Sequence, residues 1–315
     1  PHAPIAHLVG ISLVSVLVVL IGFDGLSVLA GTIDKEQMRS THGLAGPLLA
    51  ILTKYLQPAF FAYAAFRYRA MGSRQARNSL WFIGLCTLVC GAALGGKASG
   101  LIAILPGLIA LYWSGVSVTR FAFFTVLVLL FLVGAAWLFD RDLIEAEGSG
   151  DLLSYLVYRA FVLSSEGALY VGSSLLNGQL DIRYAPTLLE WFGKSVVVRL
   201  IDDPANLHLY GFSTAVTANI YPDLIDRINS GEWNITPTAF VEFLVMGGLF
   251  APAAGGLACG AIAAGLMNRV DANLREGATR SAALITSYIV LVYLGWISSG
   301  GVANLVHPIV LLGLG

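Results

Sequence analysis

Apolar residues dominate the chain in long unbroken runs, at about 5–30, 44–66, 79–96, 99–116, 121–139, 237–267 and 281–299, with a partial run from about 303. A helix crossing the hydrocarbon of a bilayer needs about 20 such residues, and most of these runs reach or approach that length. Lipid leaves every backbone N–H and C=O to be satisfied within the protein, so spanning structures are helices or closed barrels. Barrel strands alternate apolar and polar positions, and these runs do not. The pattern predicts an all-α fold, a polytopic transmembrane helical bundle. One further stretch, 152–178, stands apart. At helical spacing its Tyr155, Arg159, Glu166, Tyr170, Ser173 and Asn177 lie near one face, with leucine and valine opposite.

Composition sharpens this class without changing it. Hydrophobic residues make up 57% of the chain and charged ones 12%, about half the charged share of a soluble domain. The formal net charge of −1 says nothing about partners, and no nucleic acid is expected among them. Cys86, Cys90 and Cys259 all sit inside apolar runs, where cysteine acts as a small buried hydrophobe. They form no disulfide framework and no zinc spacing. The chain begins at Pro1 and stops in "HPIVLLGLG", partway through an apolar run; it is expected to be a piece of a longer protein. It carries no Walker loop, dinucleotide fingerprint, His-x-x-x-His motif or serine elbow, and no cofactor is expected.

Charge then orients the spans. The stretch "RYRAMGSRQARN" (67–78) has four arginines and no acid, and "NRVDANLREGATR" (268–280) has three arginines. Both are expected on the cytoplasmic side. Counting crossings from 67–78 brings the chain to the outer side after 121–139, and 237–267 must start there to end in the second arginine stretch. Residues 1–139 are therefore expected to hold five transmembrane helices, 140–236 to form a long outer-face segment, and 237–315 to hold the C-terminal transmembrane helices. This reading forbids a full crossing by 152–178, which is expected to be an interfacial or re-entrant helix, or one packed on the outer end of the bundle. Short helices are expected at about 186–200 and 214–230. The small-residue run at 248–265 suits close helix packing, with a kink at Pro252.

The ionisable residues of the outer segment are the candidate chemistry. Arg159 in an apolar helix costs a few kcal/mol on insertion scales unless it is paired or wet. Two readings stay open for it, a structural pair with Glu166 two turns on, or an arginine facing an anion. Arg183, Lys194 and Arg199 follow, and Lys97 lies in the "GGKASG" turn on the same expected face. Arginine binds two phosphate oxygens at once through its planar fork. His208 is the sole histidine of the outer segment and can act as a general base, with Asp202 or Asp203 as the orienting partner. Asn206, Tyr210 and Tyr221 surround it in sequence, and tyrosines there can stack on sugar rings. Glu242, and less so Asp24 and Lys54, are intramembrane ionisable residues and hence site suspects.

The order of features resembles the O-antigen polymerase and oligosaccharide repeat-unit polymerase group, related in layout to O-antigen ligases. The pieces that carry the resemblance are "GGKASGLIAILPGLIALYW", "YLVYRAFVLSSEGALYVG", "ANLHLYGFSTAVTANIYPD" and "FVEFLVMGGLFAPAAGGLACG", between about residues 79 and 267. The resemblance implies a C-type glycosyltransferase-like architecture in the bacterial inner membrane. It implies metal-independent joining of undecaprenyl-diphosphate-linked oligosaccharide units on the periplasmic face. Membrane lipid and a chain-length regulator protein are then candidate partners. Arg159 would face the donor diphosphate, His208 would be the base, and Lys97 would replace the basic residue of the glycine turn. Lysine there departs from the arginine of the group and loses bidentate binding. A lipid-linked oligosaccharide flippase and a ligase-like transferase are the alternatives, together with an assembly subunit without chemistry.

Overall fold

The computed structural model describes residues 3–30, 52–95, 97–115, 117–119, 121–123, 164–178, 204–230 and 237–301, together with positions 126, 130, 154, 182, 235 and 305. Among these residues every regular element is helical. In chain order, α1 (Ala3–Leu17) runs on through a π-helical turn, Val18–Gly22, to α2 (Gly25–Leu29). A second π-helical turn, Leu52–Leu56, leads into α3 (Gln57–Met71), followed by α4 (Arg74–Gly95) and α5 (Lys97–Trp113). Next come α6 (Ser164–Leu176), a 3-10 helix (Pro204–Tyr210), α7 (Phe212–Ile220), a 3-10 turn (Pro222–Leu224) and α8 (Ile225–Ser230). The last are α9 (Ala239–Gly247), α10 (Ala251–Arg275) and α11 (Thr279–Ser287), which continues through Tyr288–Tyr293 into α12 (Leu294–Ser299).

Four stretches among the described residues are long and apolar enough to cross a membrane: Ile5–Gly22, Arg74–Ala93, Ala251–Arg275 and Thr279–Ser298. The shortest, at 18 residues, extends about 27 Å, close to the ~30 Å hydrocarbon core of a bilayer. The chain is therefore read as a helical membrane protein. It divides into two compact units, one of Pro1–Leu143, Leu266–Leu291 and Leu312–Gly315, the other of Ile144–Gly265 and Val292–Leu311.

In the first unit α3 is central and packs on α4, α5 and α11. Its buried residues are mainly Ala59, Ala62, Ala64 and Ala65 with Phe61 and Phe66. Alanines let neighbouring backbones come close, and the two rings fill the space between them. The Phe61 ring lies against Gly84 of α4 and Gly107 of α5. A Cβ at Gly84 would meet it at 2.8 Å, and one at Gly107 would overlap it outright. Gly107→Ala is accordingly expected to destabilise the protein by about 1–3 kcal/mol, the usual cost of overpacking, and Phe61→Leu in the same chain should restore part of the loss. Melting in detergent checks both; an unchanged melting temperature in the single variant would show that the ring has room to move.

Several buried side-chain hydroxyls of this unit are hydrogen-bonded. Ser12 Oγ donates to Gln57 Oε1 at 3.1 Å, and Thr87 Oγ1 donates to the Ile83 carbonyl at 2.8 Å. All three side chains are buried. The three cysteines are buried free thiols. The basic stretch at 67–78 is mostly helix. Only Gly72 and Ser73 separate α3 from α4, so Arg67, Arg69, Arg74 and Arg77 lie on helix ends. Ser73 Oγ accepts the Ala76 N–H at 3.1 Å and so takes over one of the unmet donors of the α4 start.

In the second unit α9 packs on α6 and α12, and the 3-10 helix packs on α7 and α8. Val171, Phe212, Val216, Ile235 and Val241 form its buried core. The structure corrects the single span expected at 237–267. That stretch is two helices: α9, of 9 residues, extends only about 14 Å and cannot cross a bilayer. The break falls at Gly248, whose φ of +74° is left-handed and suits glycine alone among common residues. The helix resumes at Ala251, so Pro252 sits in a first turn, where its missing N–H leaves nothing unpaired. Pro252 starts a helix and does not kink one. The helix expected at 214–230 is likewise two, α7 and α8, parted where Pro222 forces Tyr221 out of helical geometry, at φ −125° and ψ 69°. The expected helix at 186–200, residues 44–51, most of 121–139 and nearly all of the run from 303 lie outside the described residues.

Candidate functional site

Among the described residues of the second unit, several polar side chains gather where α6, α7, α8 and the 3-10 helix Pro204–Tyr210 pack together. Glu166 lies in the first turn of α6, and Tyr170 follows one turn later on the same face. Tyr170 Oη donates to Asn219 at the end of α7, 2.8 Å from Oδ1 and 3.2 Å from the backbone carbonyl. Two residues on, Tyr221 Oη donates to Glu166 Oε1. Two phenols thus tie α6 to the end of α7 in opposite directions, one from each side. Glu166 and Tyr221 are both half-buried. Arg159, the other expected partner of Glu166, lies outside the described residues.

His208 occupies the last turn of the 3-10 helix and is half-buried. Three bonds hold it. Its backbone N–H donates to Asn229 Oδ1 at 2.8 Å, its Nδ1 lies 3.1 Å from the same oxygen, and its carbonyl accepts the Thr214 hydroxyl at 2.8 Å. Asn229 belongs to α8, and Thr214 to α7. Nε2 has no partner among the described residues. The ring is therefore anchored at Nδ1, with Nε2 unpartnered among the described residues, an arrangement compatible with a general base.

The remaining expected site residues fall in different places. Asn206 is exposed in the same 3-10 helix, at a kink with φ −109° and ψ 17°. Tyr210 closes that helix and is half-buried. The structure thus brings His208, Asn206 and Tyr210 onto one short element and joins Tyr221 to Glu166. Lys97 begins α5 in the first unit. Arg183, Lys194 and Arg199 lie outside the described residues, as do Asp202 and Asp203, the expected orienting partners of His208. Among the described residues of this unit Arg227 is the sole lysine or arginine; it is exposed on α8.

The partner that does hold His208, Asn229, was not singled out in the sequence, nor were Tyr170, Asn219 and Thr214 as a set. Asn229 stands 21 positions away from His208, in a stretch, "RINSGEWN", whose Asn, Ser and Gly are ordinary helix-ending residues. No spacing rule connects the two.

A second buried polar group of this unit is Glu242, fully enclosed on α9. Its Oε2 accepts the Trp296 indole N–H at 3.1 Å and the Gly301 backbone N–H at 2.9 Å. The carboxylate therefore fastens the short helix α9 to α12 and to the turn that ends it. Trp296 is buried as well, and its ring lies edge-on to Phe243, with centroids 5.7 Å apart. Among the described residues no group of three His, Cys, Asp or Glu side chains is placed to share a metal ion. The site must be read from its own chemistry, because no family model, no curated protein and no solved structure matches this chain.

Proposed function

We propose that this chain is a membrane glycosyltransferase of the O-antigen polymerase kind. It joins undecaprenyl-diphosphate-linked oligosaccharide units into a surface polysaccharide on the periplasmic face of a bacterial inner membrane. The observation that supports this reading most is His208, anchored at its backbone and at Nδ1, with Nε2 unpartnered among the described residues. In the reaction, Nε2 takes the proton of an acceptor sugar hydroxyl as that oxygen bonds to the anomeric carbon of the donor. The bond from that carbon to the lipid diphosphate breaks, and undecaprenyl diphosphate leaves with the electron pair. Arg159, with Arg183, Lys194 and Arg199, is assigned to the diphosphate, whose developing charge needs fixed positive groups. Tyr210, Tyr221, Asn206 and Glu166 are assigned to the sugars, through ring stacking and hydrogen bonds. A chain-length regulator protein is the partner such a polymerase would use.

The test is purified protein in lipid with a lipid-linked oligosaccharide. Lengthened glycan on the lipid carrier is expected, and it should persist with chelator present if arginines supply the charge. Failure to lengthen any lipid-linked oligosaccharide would remove the reading. One observation favours a second reading, a lipid-linked oligosaccharide transporter. The short helix α9 stops at Gly248 and carries a fully buried carboxylate, and interrupted helices with ionisable groups recur in transporters. Movement of the unaltered lipid-linked oligosaccharide across proteoliposomes, without lengthening, would select that alternative.

A further inference from the structure

Asn229 Oδ1 receives two groups of His208 at once, the backbone N–H at 2.8 Å and Nδ1 at 3.1 Å. The first contact settles the orientation of the amide, because a backbone N–H can only donate and so must face an oxygen. The second contact then settles the ring. An unprotonated Nδ1 would set its lone pair against the lone pairs of that oxygen, so Nδ1 carries the hydrogen. In the neutral imidazole the other nitrogen, Nε2, is then the bare acceptor. Thr214 holds the residue from the opposite side by donating to the His208 carbonyl at 2.8 Å. The backbone is thereby fixed at both its N–H and its carbonyl, and the ring cannot turn over without losing the Asn229 bond.

From this geometry we infer that Asn229 is the positioning residue of His208, holding the ring in the Nδ1–H form with Nε2 presented to a hydroxyl of the sugar acceptor. The inference rests on the proposed transferase reading for its substrate, but the tautomer itself does not. Asn229 touches neither sugar nor leaving group; it acts through the imidazole. Its role matches that of the group which orients the histidine in nucleophile–base–orienter sites, with a neutral amide oxygen in place of a carboxylate.

The experiment uses the whole chain in lipid, labelled with 15N,13C-histidine, with the His208 signals assigned by their absence in His208→Gln. Ring nitrogen and carbon shifts at a pH where the imidazole is neutral report which nitrogen carries the hydrogen. The unaltered protein is expected to show the Nδ1–H form. Asn229→Leu, which keeps the bulk and removes the acceptor, should shift the ring to the Nε2–H form. With the lipid-linked oligosaccharide assay, kcat should fall by about 10²-fold or more, the scale a general base supplies, with KM nearly unchanged. Asn229→Asp keeps an oxygen at the same place and should retain the Nδ1–H form; it decides the matter if Asn229→Leu does not fold. A ring already in the Nε2–H form in the unaltered protein, or unmoved by loss of the acceptor, overturns the inference. So does a full kcat in Asn229→Leu once the tautomer has moved. If the protein transfers no sugar at all, the transferase reading falls alone, and the ring signals still decide the role of Asn229.

Discussion

Replacing His208 with alanine should lower glycan lengthening by about 10²–10⁴-fold, the range that general acid–base catalysis contributes, and should leave a folded protein. The two halves of this expectation have separate causes. The bonds that anchor residue 208 to its surroundings are mostly those of its backbone. The N–H to Asn229 and the carbonyl from Thr214 both survive in alanine. Only the ring contact with Asn229 is lost, and the ring is half-buried, so the vacated space can fill with water. The chemistry has no such substitute, because His208 is the only histidine in the 140–236 segment. The rate is read with purified lipid-linked oligosaccharide, and folding by elution profile and melting in detergent. Normal polymer length in a well-folded His208→Ala protein would remove His208 from the site.

Glu242 leads to the opposite expectation, a large loss of stability. Alanine there leaves the Trp296 indole N–H and the Gly301 N–H buried without an acceptor. At ~1–3 kcal/mol for each buried donor left unmet, the cost is about 2–6 kcal/mol. That is a large share of the ~5–15 kcal/mol by which folded domains usually exceed their unfolded chains. Water cannot relieve it easily, because the side chain is fully enclosed. Glu242→Gln keeps an oxygen at the same place and should cost well under half as much. Melting of both variants in detergent checks this. An alanine variant as stable as the unaltered protein would show that the two donors find other acceptors and that the carboxylate does not fasten α9 to α12. In the transporter reading the glutamine variant has a second use, since it would stop movement of the lipid-linked substrate while leaving the protein folded.

Much of the class was legible from runs of residues, and much of the site was not. The apolar runs at 79–96 and 281–299 recur as membrane-length helices, displaced by a few residues at the ends, whereas the run at 5–30 recurs as a membrane-length helix only as far as Gly22. The run at 237–267 was equally apolar but is not one helix, since a sum over its side chains is blind to the backbone angle at Gly248. Glu166 and Tyr221 were both named as site residues, yet their bond to each other joins positions 55 apart. Glu242 was a suspect because a carboxylate in an apolar run is costly, and that cost explains why it is met by Trp296 and Gly301. The expected partners of His208 were the aspartates next to it in sequence. Nearness along the chain suggested them, whereas the contact that the structure describes comes from another helix, α8.

Hydrophobicity summed over some twenty residues is insensitive to any one of them, and lipid permits few backbone conformations. For that reason the helical, membrane-embedded character of this protein follows from its amino-acid order with no further input. Hydrogen bonds have no such averaging: each depends on two atoms coming within about 3 Å in the right direction. Whether His208 meets Asn229, where a helix stops at Gly248, and which groups enclose Glu242 were therefore decided only when the helices packed.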